Sequence, residues 1–234
     1  MIRYPNIREA RFIRRPNRFV AEVELDGEVT VVHVKNTGRC RELLLPGARV
    51  WLTRSDNASR RTAYDLVAVE KQVGCGKILI NMDSAMPNDA AEEWLAGGGL
   101  GFQPDSIRRE VREGNSRFDF CIEADGRLTY VEVKGVTLER DGVAAFPDAP
   151  TERGVKHVRE LCALGRRGIG AAILFVVQMR PVGMMCPNYD THPEFGEALL
   201  SARDAGVEII AVDSLVTEWG LEIGERIPVK LERE

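Results

Sequence analysis

The chain has 234 residues, of which 44% are hydrophobic and 29% charged, with a net charge of −4, proportions ordinary for a globular protein of one or two domains. No run of about 18 apolar residues occurs, which excludes a membrane-spanning helix, and the first residues lack the apolar core of a signal peptide. The five scattered cysteines form no Cys-x-x-Cys pair, which indicates neither a zinc knuckle nor a disulfide framework and favours a cytoplasmic location.

Charge is distributed unevenly along the chain. Residues 1–85 carry 15 Lys and Arg against 10 Asp and Glu, whereas the remainder carries 17 against 26. The basic excess lies almost wholly within the first 18 residues, and it favours a polyanionic partner for the N-terminal part. The alternative is an ordinary solvated surface. The residues that we expect to contact nucleic acid are Arg11, Arg14, Arg15, Arg18 and Arg39.

The first third of the chain reads as a series of short strands. Residues 19–25 alternate between apolar and polar, Asp26-Gly27 predicts a tight turn, and a β-branched run over 29–34 follows. About five strands with one short helical segment indicate a small Greek-key barrel of the oligonucleotide-binding (OB) type, with an SH3-like barrel as the alternative. The remaining predicted strands cover 49–52, 64–69 and 77–80, and the helical segment covers 40–45.

A region rich in Gly, Pro, Asn and Asp, over 86–104, separates the barrel from a second pattern. We place the domain boundary near residue 85, which gives a barrel over 1–85 and a second domain over 86–234. In the second domain strands alternate with helices, an α/β arrangement. Its predicted helices are 89–96, 152–165 and 194–204, and its predicted strands are 107–112, 133–139, 143–146, 171–177 and 207–212, besides the hairpin described next.

A predicted hairpin over 116–134 carries the most informative residues of the chain. Asp125-Gly126 is a strong signal for its turn. A turn at that point places Asp119 directly opposite Glu132, where like charges repel each other. The other pairs that this register predicts are Arg117 with Lys134, Phe118 with Val133 and Phe120 with Val131.

A divalent cation would turn this repulsion into a pair of ligands. Magnesium usually takes one or two carboxylates and keeps several waters, so Asp119 and Glu132 suffice for Mg²⁺ or Mn²⁺, with the Val133 carbonyl as a third candidate ligand. Such an ion supports phosphodiester hydrolysis. Lys134 shares a face with Glu132 because strand residues two apart point the same way. The alternative is a network of salt bridges without metal.

Several motifs accompany this hairpin. In the second half they are Ser-Arg-Phe-Asp over 116–119, Val-Glu-Val-Lys-Gly-Val-Thr-Leu over 131–138, Phe-Pro-Asp-Ala over 146–149 and Thr-Glu-Arg-Gly-x-Lys-His over 151–157. Asn36-Thr37-Gly38, the stretch from Asn81 through Pro87-Asn88, and Phe175-Val176-Val177-Gln178 add to them. Together these motifs resemble the sugar fermentation stimulation proteins of bacteria and archaea, and the resemblance covers essentially the whole chain.

The resemblance implies an all-β OB-like barrel followed by an α/β domain similar to the PD-(D/E)xK nucleases, a mixed sheet flanked by helices. It also implies largely non-specific DNA binding and a regulatory link to sugar metabolism. In the nuclease pattern Asp119 takes the place of the motif aspartate, and Glu132 with Lys134 takes the place of (D/E)-x-K. Phe118 stands where the motif name has proline. The candidates for a further upstream acid are Glu92, Glu93 and Glu110.

Four residues are expected to support this site. Arg117 is a candidate for neutralising phosphate, and Gln178 ends a buried strand, where it contacts a phosphate or instead caps a loop. Glu152 and Lys156 lie one helical turn apart and face the carboxylates or form a surface ion pair.

His157 is interpreted as a helix-flank residue rather than a ligand. The backbone amides of the loop 36–39 are a candidate phosphate site, with an ordinary turn as the alternative.

Three functions follow from these observations. The favoured one is a DNA-binding protein on a nuclease-like scaffold, which contacts the DNA backbone without strong sequence preference. The alternative is an active nuclease that depends on Mg²⁺ or Mn²⁺. The third is a non-catalytic module whose charge cluster is structural. We expect DNA as partner, no membrane and no small-molecule cofactor, while the oligomeric state stays open.

Overall fold

The structure is a computed structural model that describes residues 1–36, 38–55, 59–74 and 76–233. Within these ranges the chain forms a six-stranded barrel, a seven-stranded sheet and a small three-stranded sheet. Thr37, which belongs to one of the motifs above, lies outside the described residues. Among the described helices none is both long and apolar enough to cross a lipid bilayer.

After a two-residue strand β1 (Ile2–Arg3), the N-terminal region folds into the barrel. Its strands are β2 (Ile7–Asn17), β3 (Val20–Leu25), β4 (Glu28–Val34), β5 (Arg49–Arg54), β6 (Tyr64–Val73) and β7 (Gly76–Asn81). They lie in the order β4-β3-β2-β5-β6-β7, and a parallel pairing of β4 with β6 closes the barrel. This closure is the OB topology, so the prediction of an OB-like barrel is confirmed.

Local sequence explains most of the barrel. Alternate residues of β3 are buried, and the turn that follows uses positive φ angles of 54° at Asp26 and 82° at Gly27, as a two-residue hairpin turn requires. The predicted helical segment over 40–45 is wrong. The chain makes a turn there in which the amides of Leu43 and Leu44 both donate to the Cys40 carbonyl.

The rest of the chain forms the mixed sheet and its helices. The seven-stranded sheet has the order β1-β16-β15-β13-β10-β9-β8, and the three-stranded sheet has the order β11-β12-β14. The bounds are α1 (Met86–Ala96), β8 (Ser106–Glu113), β9 (Ser116–Ala124), β10 (Arg127–Val136), β11 (Leu138–Arg140), β12 (Val143–Phe146), α2 (Glu152–Arg166), β13 (Gly170–Val177), β14 (Met184–Pro187), α3 (Pro193–Asp204), β15 (Glu208–Thr217) and β16 (Gly220–Ile227).

The central strand β13 is covered on both faces. Ile173 and Phe175 pack in the cluster that contains residues of α2 and α3, whereas Ala172 and Leu174 pack in the cluster that contains residues of α1. A parallel strand covered on both sides by helices reads as a continuous apolar run, which is why the sequence identified it. The predicted mixed sheet flanked by helices is confirmed.

Two features connect the barrel with the sheet. Strand β1 pairs with β16, so the first residues of the predicted 1–85 unit lie on the seven-stranded sheet. The Asn81 amide, at the end of β7, donates to the Gln178 carbonyl over 3.0 Å. The boundary near residue 85 stays a prediction.

Candidate active site

The predicted hairpin turn is present. Asp125 and Gly126 have φ angles of 49° and 71°, and the ladder between β9 and β10 runs from Ala124 opposite Arg127 to Phe120 opposite Val131. This is the register predicted from the sequence.

Beyond Phe120 the predicted register is wrong, since the paired ladder within the described hairpin ends there. The Asp119 Oδ2 atom accepts a hydrogen bond from the Val133 amide over 2.7 Å, so a carboxylate takes the place of a backbone acceptor. The side alternation also breaks: Phe118 packs on the α2 face and Phe120 on the α1 face. On the neighbouring strand β8, Glu110 lies opposite Asp119, between the pairs Arg109–Phe120 and Val111–Phe118, and its backbone φ is 56°. The predicted pairs Asp119–Glu132, Arg117–Lys134 and Phe118–Val133 are therefore corrected.

Glu132 is the most deeply buried charged group of the cluster, with 4% of its surface exposed. Its Oε1 atom accepts two hydrogen bonds, from Lys134 Nζ and from His157 Nδ1, each over 2.5 Å. Its Oε2 atom is buried and has no hydrogen-bond partner among the described residues. One oxygen therefore accepts two hydrogen bonds, while the other accepts none from the described part of the chain.

Asp119 is half-buried and is held at both oxygens. Its Oδ1 atom accepts a hydrogen bond from Asn88 Nδ2, at the start of α1, over 2.9 Å. Burial, followed by the nearby negative charge of Glu132, raises the pKa of Asp119 above its ordinary value. At Glu132 burial acts in the same direction, but the His157 hydrogen bond and the Lys134 ammonium outweigh it and lower the pKa. The two carboxylates thus shift in opposite directions.

His157 lies on the buried side of α2, so its interpretation as a helix-flank residue is wrong. Its ring is 7% exposed and packs edge-on against Phe118, with ring centroids 6.4 Å apart. The signal in the sequence is the spacing, because position 157 lies one helical turn from both Gly154 and Leu161, which are also buried. This spacing directs the imidazole inward, toward Glu132.

The candidates for an upstream acid all have other partners. Glu92 pairs with Arg109 at 3.1 Å, Glu93 with the N-terminal ammonium at 3.1 Å, and Glu110 with Arg117 at 2.8 Å. From α1, the side chain that contacts Asp119 is instead the amide of Asn88. Sequence reasoning did not single out Asn88 for this role, although it stands in the Pro87-Asn88 motif.

Three of the supporting residues make their contacts away from the cluster. Arg117 is 56% exposed in its pair with Glu110. The Glu152 side chain is 90% exposed and lies 3.3 Å from His192 Nε2, and Lys156 Nζ donates to the Asn115 carbonyl over 3.4 Å. Glu152 and Lys156 are therefore surface residues with separate partners, and the contacts described for them are neither with the carboxylates nor with each other.

Gln178 is buried beside the cluster and is held by the end of the barrel. Its Nε2 atom donates to the Asn81 carbonyl over 2.8 Å and to the Asp83 carbonyl over 3.3 Å. Its Oε1 atom lies so close to Gly135 that a Cβ there would approach it to 2.4 Å. Gly135 follows Lys134, so Gln178 lies between the end of the barrel and the strand that carries the lysine.

Most of the N-terminal arginines are engaged within the barrel. Arg14 forms a two-point pair with Glu22, at 2.8 and 2.5 Å, and Arg11 donates to the Gly47 carbonyl over 3.2 Å. The guanidinium of Arg18 lies 4.7 Å from the ring of Phe19, which is 46% exposed.

Arg15 supports the loop that was a candidate phosphate site. It donates to four backbone carbonyls, over 2.7 to 3.0 Å, which belong to Arg18, Asn36, Gly38 and Arg39. The Gly38 amide donates to Asn36 Oδ1, and the Arg39 amide donates to Asp148 Oδ2 in the second domain over 2.9 Å. Both amides have partners inside the protein, which favours the ordinary-turn alternative.

Comparison with known proteins agrees with this architecture. The model of the SfsA N-terminal OB domain matches residues 13–82, and that of the sugar fermentation stimulation protein RE domain matches residues 85–220. The chain belongs to the sugar fermentation stimulation protein family. A homologue of this family from Desulfitobacterium hafniense is 52% identical over 231 residues, which cover 98% of this chain and 99% of the relative.

Other members of the family are similar over the same length. A homologue from Ruminiclostridium cellulolyticum is 48% identical over 230 residues, covering 98% of this chain and all of the relative. Among solved structures, Pyrococcus furiosus SfsA in complex with Ca²⁺ is similar with a TM-score of 0.86 and 29% identity, and 98% of each chain is covered.

Proposed function

We propose that the chain is a divalent-metal-dependent nuclease that hydrolyses phosphodiester bonds in DNA, with Mg²⁺ or Mn²⁺ held by Asp119 and Glu132. The observation that carries the proposal is the buried Oε2 atom of Glu132, for which the described residues offer no hydrogen-bond partner. A buried carboxylate oxygen without a partner is costly, and a bound cation would remove that cost. The Ca²⁺ in the structure of the Pyrococcus relative supports the proposal, because Ca²⁺ and Mg²⁺ both prefer oxygen ligands.

The donor set fits a magnesium ion. Within the described residues no group of three or more His, Cys, Asp or Glu has metal-binding geometry, so the candidate ligands are two carboxylates. Two are enough for Mg²⁺, which keeps several waters. When bound, the metal would supply a polarised phosphate and an activated water.

The residues of this chain would then divide the remaining work. Lys134 is 16% exposed at its side chain and bound to Glu132, so its ammonium is available next to the metal ligands to neutralise the phosphate. Asn88 orients Asp119, because its amide holds Oδ1 while the Val133 amide holds Oδ2. The arrangement is held before any substrate arrives.

Cleavage of labelled single- and double-stranded DNA in Mg²⁺ or Mn²⁺ tests the proposal. We expect cleavage by the wild type and its loss in Asp119→Ala. Glu152→Gln is the matched control, because this exposed carboxylate makes its contact at His192 and should leave the rate unchanged. No cleavage by the wild type, or equal cleavage by Asp119→Ala, would contradict the proposal.

A second candidate function is backbone-directed DNA binding by the barrel, and one specific observation favours it. The exposed ring of Phe19 carries the Arg18 guanidinium at the turn between β2 and β3, a combination that suits base stacking and phosphate contact. A regulatory role in sugar metabolism rests on this binding alone. If the arginines contact phosphate, affinity for duplex DNA falls steeply with salt, with a smaller slope in Arg18→Ala. A wild-type affinity for duplex DNA that does not change with salt concentration would contradict this candidate function.

A further inference from the structure

We propose that His157 is a positioning residue for the metal ligand Glu132. Its ring holds one carboxylate oxygen so that the other is the one offered to a cation. This inference rests on the metal site proposed above, and it deepens that proposal by assigning a role to a residue outside the carboxylate–lysine motif.

The contacts of the imidazole fix its hydrogen-bonding pattern. Nδ1 lies 2.5 Å from Glu132 Oε1, and Nε2 accepts a hydrogen bond from Arg153 Nε over 3.4 Å. A carboxylate only accepts and a guanidinium only donates. The ring therefore carries its proton on Nδ1 and presents a lone pair at Nε2.

The ring has little freedom to move. It is 7% exposed, it projects from the first turns of α2, and the edge of Phe118 packs against it. Lys134 also donates to Oε1. Its ammonium, however, stands at the end of a flexible chain of four methylenes, so it can keep this hydrogen bond when the carboxylate rotates. Of the two donors, His157 is the one that can set the rotation of the carboxylate.

The two hydrogen bonds at Oε1 leave Oε2 without a hydrogen-bond partner in the described ranges of the chain. If His157 only satisfied a buried charge, any nearby donor would serve and either oxygen could turn to the cation. If it positions the carboxylate, the donor must stand where Nδ1 stands. These alternatives make different predictions for two amide side chains that differ by one methylene.

The experiment compares His157→Asn, whose amide nitrogen can take the position of Nδ1, with His157→Gln, whose amide nitrogen reaches closer to the position of Nε2. Mn²⁺ binding to wild type and variants is measured by the electron paramagnetic resonance signal of free Mn²⁺, and melting is measured without metal. We expect His157→Asn to stay within a factor of about 3 of wild type. His157→Gln should lose the 10–100-fold that is typical when a ligand loses its hydrogen-bond partner.

Each outcome decides a separate point. Equal affinity in the two variants would overturn the positioning role, even if the wild type binds Mn²⁺ and Asp119→Ala does not. A wild type that binds no Mn²⁺ would overturn the metal site itself, and this inference with it. If His157→Gln fails to fold, the ¹⁵N shifts of the wild-type imidazole decide, since a ring without a proton on Nδ1 could not donate to Glu132 and would contradict the role.

Discussion

The barrel and the hairpin of the C-terminal sheet both gather charged side chains, but they satisfy them in different ways. In the barrel, pairs such as Arg14 with Glu22 lie at the surface, where the Arg14 side chain is 65% exposed. In the hairpin, Glu132 is buried, and one of its oxygens has no hydrogen-bond partner in the part of the chain that the structure describes. Exposed ion pairs contribute little to stability, whereas an unmet buried charge is costly. An unpartnered buried oxygen is not confined to the hairpin, because Glu42 Oε1 in the barrel part of the chain also has no hydrogen-bond partner among the described residues. The hairpin adds a second carboxylate, Asp119, whose pKa is raised by burial and by the charge of Glu132.

Removing the lysine amine should give the largest effect on the hairpin side of this comparison. Lys134→Met is expected to lower the rate of DNA cleavage by about 10²–10³-fold, the usual cost of losing one group that stabilises developing charge. Lys156→Met is the matched control, because Lys156 donates to the Asn115 carbonyl on the surface. Single-turnover rates at saturating Mg²⁺ provide the measurement, and equal rates in the two variants would refute the assignment.

The adjacent residues Arg14 and Arg15 differ in how the barrel engages their side chains. Arg15→Met removes the donor to four carbonyls and should lower the free energy of unfolding by about 2–4 kcal/mol, because four acceptors, two of them in part-buried contacts, lose a charged donor. Arg14→Met removes an exposed ion pair and should cost less than about 1 kcal/mol. Urea unfolding of both variants tests this difference. Similar losses of unfolding free energy in Arg15→Met and Arg14→Met would contradict the prediction.

Neutralising Glu132 tests whether its charge stabilises the fold. The pKa of Glu132 is lowered from 4.5, so the folded state favours the ionised form. That contribution is present above the unfolded pKa and is lost as pH falls through the folded one. Glu132→Gln should therefore lower the free energy of unfolding at pH 7, by about 1–3 kcal/mol for lost charged hydrogen bonds.

The pH dependence supplies the control for this variant. The stability difference between wild type and Glu132→Gln should narrow as pH falls through the acid range, whereas Glu152→Gln should follow the wild type throughout. A Glu132→Gln protein as stable as wild type at pH 7 would contradict the prediction that the ionised carboxylate stabilises the fold.

Asp119 should behave in the opposite way, with the smallest effect. Its pKa is raised, so ionisation costs free energy in the folded state, and stability falls as pH rises through the folded pKa. Asp119→Asn should raise the melting temperature at neutral pH by roughly 2–4 °C, which corresponds to about 1 kcal/mol for a protein of this size. Mg²⁺ should raise the melting temperature of the wild type but not of the variant. A lower melting temperature in metal-free Asp119→Asn would contradict this sign.

Features that depend on neighbouring residues were predictable from the sequence. The Asp26-Gly27 and Asp125-Gly126 turns follow from local backbone preference, and the run over 171–177 follows from hydrophobicity. These elements fix the barrel, the hairpin and the central strand. The family motifs then gave the two-domain architecture.

Features that depend on distant partners were not predictable in the same way. The break in alternation at Asp119 requires the Val133 amide and the irregular backbone of Glu110 on β8, and neither follows from the hairpin pattern. The contact of Asn88 with Asp119 joins residues 31 positions apart. The inward orientation of His157 was available from helical spacing, but its partner Glu132 lies on another element.

Strand β1 has a consequence for dissecting the protein. Because Ile2 and Arg3 pair with Leu221 and Gly220 of β16, the barrel is an insertion within the sheet-forming part of the chain, entered after β1 and left before α1. Cutting the polypeptide once, near residue 85, would strip an edge strand from the sheet and uncover Leu221, which is fully buried. A clean separation of the two halves needs two breaks, with β1 kept beside β16 by a new connection.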